Sequence, residues 1–420
     1  MRAILPAGSK NGWSGGQYSV FRIFFGCYLL QHFLALLPWG ADLFSNRGAL
    51  ANASASPLVH VFPNVLAICD QPGFVTALLI LGSVLSVLLA AGLWDRTAAF
   101  ILWYLWACLL GRNPLISNPA LPFIGWLLLL HTALPKAPFG SWTARKRDDS
   151  AGNWYMPQLA FFLAWILMAV GYSYSGYTKL VSPSWLDGSA LARVLQNPLA
   201  RPTALRELLL GIPPVCLRVL SWATLLLELS FAPLALFRKA RLWIWTAMVG
   251  LHLGLLSLVS FADLTGGMLL FHFFTFDPAW LPRRVAMRSE WVFYDGNCAL
   301  CHGWVRFVLA EDSGSKTFRL SPLQGRLFSS RVRGERRSSL SGSLVVLTED
   351  EKLLTRSGAV LYILRRLGGL WLLVAMIIAV IPQAVLDWCY DRVASVRRLF
   401  GARKSICLVL SAELRQRFDA

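Results

Sequence analysis

The chain has 420 residues, 56% hydrophobic and 15% charged, and its 40 Lys and Arg against 22 Asp and Glu give a net charge of +18. Soluble chains carry about 25% charged residues, so this composition excludes a disordered chain, a fibrous chain and an ordinary soluble enzyme. Nucleic-acid binding is not indicated either, because basic charge does not account for the apolar excess; that excess together with surplus Arg predicts an integral membrane protein with basic cytoplasmic loops.

Apolar runs of about 20 residues or somewhat fewer can cross a bilayer. They are read near 17–38, 73–93, 97–111, 119–134, 157–179, 215–237, 242–262 and 263–276, eight spans of which the third, fourth and eighth are short. The first run is too long for a cleavable signal peptide and lacks a small-residue cleavage site after it, so it reads as an uncleaved helix. With the N-terminus inside, thirteen Lys and Arg fall in inner segments and five in outer loops. The positive-inside rule favours that orientation. The expected location is a bacterial inner membrane, multi-pass, with the N-terminus and the C-terminal region cytoplasmic. Cys27, Cys108 and Cys216 lie in apolar runs and read as small buried hydrophobes.

Residues 1–282 carry a net charge of +8, and the much shorter 283–420 carries +10. The chain therefore divides into a membrane domain, 1–282, and one charge-dense domain, 283–420, of ordinary size. Within the latter, the aromatic and β-branched run 291–295 predicts a strand. Trp304, Phe307 and Val308 share one face of a helix over 303–311. Further strands are expected at 317–320 and 343–348, and a helix over 357–367. This order fits a small α/β layer fold. The twelve apolar residues 370–381 are too few for a span and suit a core helix or an interfacial segment. Pro382 stops that run, and an amphipathic helix with Arg392, Arg397 and Arg398 follows.

Cys298-Ala-Leu-Cys301 follows a predicted strand and opens a predicted helix, the setting in which C-x-x-C has redox chemistry. A helix N-terminus favours the thiolate of the first Cys, and the second, three residues on, can attack the mixed disulfide it forms. Cys298 is the expected nucleophile and Cys301 the resolving thiol. Other readings are a c-type haem attachment through Cys298, Cys301 and His302, a structural zinc for which no second close Cys pair exists, and a chemically idle pair. No metal site is expected. The segment from Tyr294-Asp295-Gly296-Asn297 through Cys301 resembles the opening motif of the DCC family of thiol-disulfide oxidoreductases. Phe318 to Gln324, Thr355-Arg356-Ser357 and the stretch from Ile381-Pro382 to Phe400-Gly401 are similar to later parts of that family. The resemblance covers about 290–410 and implies a thioredoxin-like fold with the Cys pair as redox centre. Asp295 would then assist proton transfer; alternatively it is a turn residue bonding local backbone. The chain departs from thioredoxins proper in having no proline before 343–348, where they place a substrate-facing cis-proline.

Ionisable residues inside spans are functional candidates: His131, Lys179, Glu228, His252 and His272. Glu228 and His252 are the candidate cofactor-binding groups, and Glu228 could pair with a His or with Lys179. Lys179 sits in Gly176-Tyr-Thr-Lys179-Leu180, ahead of Trp185 and Gly188. A snorkelling Lys beside an interfacial Trp is the simpler reading. The pattern also resembles the HTTM family, the membrane domain shared with vitamin K-dependent gamma-carboxylase, with residues 17–280 fitting its spans. That resemblance implies that Lys179 is a base acting on a quinol and that a vitamin K-like quinone is the cofactor. The carboxylase's domain for its protein substrate is absent, which weighs against protein carboxylation.

The expected fold is thus a polytopic α-helical membrane domain of about eight spans followed by a thioredoxin-like α/β domain. Three functions stay open: a membrane-anchored thiol-disulfide oxidoreductase, a quinone-linked carboxylase- or epoxidase-like enzyme centred on Lys179, and a non-enzymatic maturation factor for an exported peptide. The expected partners are the lipid bilayer and a thiol or disulfide substrate, protein or small molecule, with no nucleic acid.

Overall fold

A computed structural model describes residues 13–146, 154–281, 288–296, 299–312, 317–332, 343–396 and 415–419. The chain forms two compact units, one of Phe21–Leu134 and Pro157–Phe276, the other of Met1–Val20, Pro135–Met156 and Asp277–Ala420. The second unit therefore gathers two earlier stretches around the C-terminal domain.

The helical unit is built on α1 (Gly15–Leu36, its first residues belonging to the other unit), α2 (Pro72–Ala91), α3 (Asp95–Arg112), α4 (Ala120–Ala133), α5 (Gln158–Lys179), α6 (Pro214–Ala235), α7 (Arg238–Leu258) and α8 (Ala262–Thr275). Each of the eight apolar runs read from the sequence is helical. Among the described residues, five helices are long and apolar enough to cross a membrane: α1, α2, α5, α6 and α7. The helix α3 carries Asp95, Arg96 and Arg112. The helices α4 and α8 have 14 residues each, about 21 Å at 1.5 Å per residue, against about 30 Å for the hydrocarbon core. Eight helices and five candidate spans are thus different counts.

The outer faces of these helices expose Phe24, Leu81, Val84, Leu226 and Trp243. Such faces suit lipid, because in a bilayer the surroundings are as apolar as the core. The same inversion corrects the reading of the cysteines: Cys108 is buried, but Cys27 and Cys216 are exposed on α1 and α6. Polar groups within the unit close on the backbone. Arg22, fully buried, donates from one guanidinium nitrogen to the carbonyls of Leu89 and Ala90 at 2.6 and 2.7 Å, at the C-terminal end of α2, where the last carbonyls lack i+4 partners within the helix. Pro233 inside α6 has no N–H to offer Leu229. The Ser173 hydroxyl of α5 takes over, donating to the Leu229 carbonyl at 3.1 Å and accepting from the Ala232 amide at 2.9 Å.

The C-terminal domain contains a four-stranded mixed sheet in the order β2-β1-β3-β4, from β1 (Glu290–Tyr294), β2 (Phe318–Pro322), β3 (Val345–Leu347) and β4 (Leu353–Thr355). β1 is parallel to β2 and antiparallel to β3, and β3 is antiparallel to β4. The helices are α9 (Ala299–Glu311), α10 (Arg326–Arg331), α11 (Arg356–Leu367), α12 (Gly369–Ile378) and α13 (Gln383–Val396). Alternation along β1 feeds two cores. Val292 and Tyr294 pack with Val305, Val308 and Ile363; Phe293 packs with Phe328, Val345 and Leu347. The expected strands and helices recur with shifted ends. The largest shift is at α9, whose backbone is helical from Ala299 rather than 303. The bulky residues that set the helical reading begin only at Trp304. The short helix α10 had no sequence signal.

Glu290, fully buried at the start of β1, accepts from Arg366 at 2.6 Å and from the Tyr362 hydroxyl at 2.5 Å, and Arg366 also reaches Glu349 at 2.6 Å. Beyond α13, the described tail 415–419 extends the sheet. The Leu320 amide donates to the Arg417 carbonyl at 2.8 Å and the Asp419 amide to the Leu320 carbonyl at 2.9 Å. Arg417 bonds Asp312 at 2.6 Å.

Candidate functional site

In the C-terminal unit the site is a strand-to-helix junction. β1 ends at Tyr294 and α9 begins at Ala299, with Cys301 in its first turn. Cys298, the expected nucleophile, lies outside the described residues, one position before α9. A helix of 13 residues directs its unpaired amides and the positive end of its dipole to its start, which favours a thiolate there over a thiol.

The loop between strand and helix is tied down from two sides. Gln324, in the turn after β2, donates to Asp295 Oδ1 at 2.9 Å and accepts from the Gly296 amide at 3.2 Å. The neighbouring Leu323 amide donates to the Tyr294 carbonyl at 2.8 Å. From α9, His302 donates through Nε2 to the Gly296 carbonyl at 2.9 Å, and its ring meets Tyr294 edge to face. Burial pushes the Tyr294 phenol up. Asp295 therefore has the bonding pattern of a loop brace. His302, read from the sequence only as part of a haem motif, holds the loop through the nitrogen that a haem iron would need. Gln324 is the residue whose part sequence reasoning missed; the one signal for it was its place at the end of the Phe318–Gln324 segment.

In the helical unit, the structure brings two of the expected residues together. Lys179 Nζ lies 2.5 Å from Glu228 Oε2 and 2.8 Å from Ser175 Oγ, with the Trp185 ring 5.1 Å away. Gly176 permits this: a Cβ there would stand 2.8 Å from the Leu229 amide nitrogen and 3.1 Å from Glu228 Cβ, so α5 and α6 approach closely at the level of the ion pair. His252 does not join them. Its Nε2 bonds the Tyr172 hydroxyl at 2.7 Å, and His272, donating to the Met268 carbonyl at 2.9 Å, stands 3.4 Å from the same hydroxyl. His131 is elsewhere, 3.4 Å from Asp95. Tyr172, Ser175 and Lys179 are spaced i, i+3 and i+7, one stripe of α5. Tyr172 escaped the sequence reading because a Tyr in an apolar run looks like any other large side chain. Among the described residues, no three His, Cys, Asp or Glu side chains converge as metal ligands.

Residues 292–403 match the family described as DCC1-like thiol-disulfide oxidoreductase. The match covers the C-terminal domain and starts beyond the helical unit. The uncharacterized protein YuxK of Bacillus subtilis (strain 168) is 28% identical over 138 residues, 33% of this chain and 95% of that protein. A chloroplastic DCC family protein of Arabidopsis thaliana is 29% identical over 116 residues, 28% of this chain and 67% of that protein. No solved structure gives a significant match.

Proposed function

We propose that this protein is a membrane-anchored thiol-disulfide oxidoreductase with Cys298 as nucleophile and Cys301 as resolving thiol. The observation that carries the reading is the position of the pair: Cys301 in the first turn of α9 directly after a central strand, inside the segment that matches the DCC1-like family. The sheet order β2-β1-β3-β4 with one parallel and two antiparallel pairs supports a thioredoxin-like arrangement. In the reducing direction, the Cys298 thiolate attacks a substrate disulfide, forming a mixed disulfide and releasing one substrate thiolate. Cys301 then attacks Cys298 Sγ, releases the second thiolate and leaves the pair oxidised. The opposite sequence oxidises a substrate dithiol. Asp295, Gln324 and His302 keep the loop in place for both steps. The test is dithiol-disulfide exchange by the full chain in micelles. Cys298→Ser should abolish exchange and Cys301→Ser should accumulate the mixed disulfide; exchange undiminished in Cys298→Ser rejects the assignment.

A second reading concerns the helical unit, where the Lys179–Glu228 pair supports a chemical centre. A lysine–carboxylate pair inside an apolar helix bundle is costly to keep. The substrate class that the sequence resemblance suggests is a quinone or quinol, with Lys179 moving a proton at the quinol oxygen. Extraction of the purified protein should yield a quinone in near-equal amount, reduced in Lys179→Ala; protein free of quinone that also leaves added quinol unbound rejects this reading.

A further inference from the structure

The helices α12 and α13 meet at Pro382 at 109°. From Leu367 to Leu386 the sequence holds no charged residue. The start of α12 is core, with Leu370 and Ala375 buried. The elbow beyond it is not. Ile377 is 64% exposed, Val380 84%, Ile381 44% and Trp388 59%, and Met376 and Val385 are exposed beside them. A soluble domain rarely gathers so many large apolar side chains at one protruding corner without a partner for them.

The charges of α13 are sorted. Asp387 turns to the domain, accepting from the Ser357 hydroxyl at 2.6 Å, and Asp391 lies 3.5 Å from Arg356. Arg392 instead lies over the exposed Trp388 ring at 5.2 Å. The acids are thus occupied by the domain, while the outer face presents aliphatic side chains, a tryptophan and a cation. That is the composition of a segment lying in a bilayer interface, with Trp and Arg at headgroup depth and aliphatics below.

We propose that the α12–α13 elbow is a membrane-docking device: its tip, from Ile377 to Val385, inserts into the interfacial layer of an anionic bilayer, with Trp388 and Arg392 at the headgroups. Three observations select lipid over a second protein. The paired helices are apolar enough to pass for a span, yet bent too sharply to be a straight one. Among the described residues, the same chain has five helices long and apolar enough to cross a bilayer, so this domain is covalently tied to apolar helices that suit one. And residues 283–420 carry a net +10, which draws them to anionic headgroups. The consequence for the proposed redox reaction is orientation: docking fixes which side of the domain faces the membrane and which faces substrate. The inference does not depend on cysteine chemistry.

The test places p-benzoylphenylalanine at Val380, at Ile377 or, as a control, at the exposed Ser330, in the full chain reconstituted in vesicles containing phosphatidylglycerol. After illumination, lipid adducts at 377 and 380 should exceed those at 330 several-fold, and should fall when phosphatidylcholine replaces the anionic lipid. Cross-links from 380 to a second copy of the chain, or adduct yields equal to those at 330, overturn the proposal. Exchange activity measured in parallel tests the redox reading separately.

Discussion

Lys179 and Glu228 stand 49 positions apart in the chain and meet at 2.5 Å. Glu228 is buried, whereas Lys179 retains partial exposure. Removing one partner leaves the other charge without compensation, and for a buried carboxylate this costs about 3 kcal/mol. Lys179→Met should therefore lower the unfolding midpoint of the protein in micelles, and Glu228→Gln should do so less, since the amide keeps an acceptor for Nζ. The paired Lys179→Met, Glu228→Leu variant should recover much of the loss. A double-mutant cycle reads the coupling, and additive losses would show that the two side chains do not interact. Lys179 and Glu228 were each legible as intramembrane ionisable residues. Their partnership was one of two the sequence left open, a His being the other, because nothing in local spacing says which helices pack together.

At the scale of elements, the helix α1 shows how one part of the chain completes another. Its first turn holds no acidic residue of its own. Within the C-terminal unit, Glu311 at the end of α9 accepts from the Gly16 amide at 2.9 Å, from the Ser14 hydroxyl, and from Trp371 Nε1 at 2.6 Å. A carboxylate thus satisfies an orphan amide and opposes the dipole at the start of α1. Glu311→Ala should cost about 1–3 kcal/mol, because a partly buried indole N–H and a buried helix-terminal amide lose their acceptor. Glu311→Gln should cost less. Thermal unfolding of both variants in micelles checks the order. The α9 helix itself was readable from Trp304, Phe307 and Val308 and from the Cys pair read as opening it; only its first residue, Ala299, was not fixed by the apolar spacing. Of the two braces beside that start, His302 reaches Gly296 from within the helix, whereas Gln324 reaches the loop from the turn after β2, a tertiary contact that local spacing does not reveal.

The whole C-terminal unit is closed by its last described residues. Asp419 accepts from Arg319 Nε at 2.6 Å and from Trp291 Nε1 at 2.9 Å. The Arg319 hydrogen bond, with a smaller contribution from Trp291, holds the Asp419 carboxyl below its ordinary value. A carboxyl whose pKa is lowered by folding adds stability in full above the unfolded value, about 3.9, and loses it as pH falls through the folded value. Unfolding midpoints should therefore decline more steeply below about pH 4 in the natural sequence than in Asp419→Asn. Equal acid sensitivity of the two would remove Asp419 from that role.

Composition and local periodicity by themselves determined that this is a chain of apolar helices followed by a charge-dense α/β domain. They also placed a C-x-x-C pair after a strand, at the opening of a helix. These are properties of neighbouring residues: helix and strand periods repeat over a few positions, and apolar length alone decides which runs can reach across a bilayer. The tertiary structure decided the rest. It paired Lys179 with Glu228 and His252 with Tyr172, recruited Gln324 and Glu311 as braces, and gathered residues 1–20 and 135–156 into the C-terminal unit. It also left the α12–α13 corner exposed, where the sequence allowed core and interface alike. Each of these depends on which surfaces meet, and packing between distant segments is written in no single stretch of the chain.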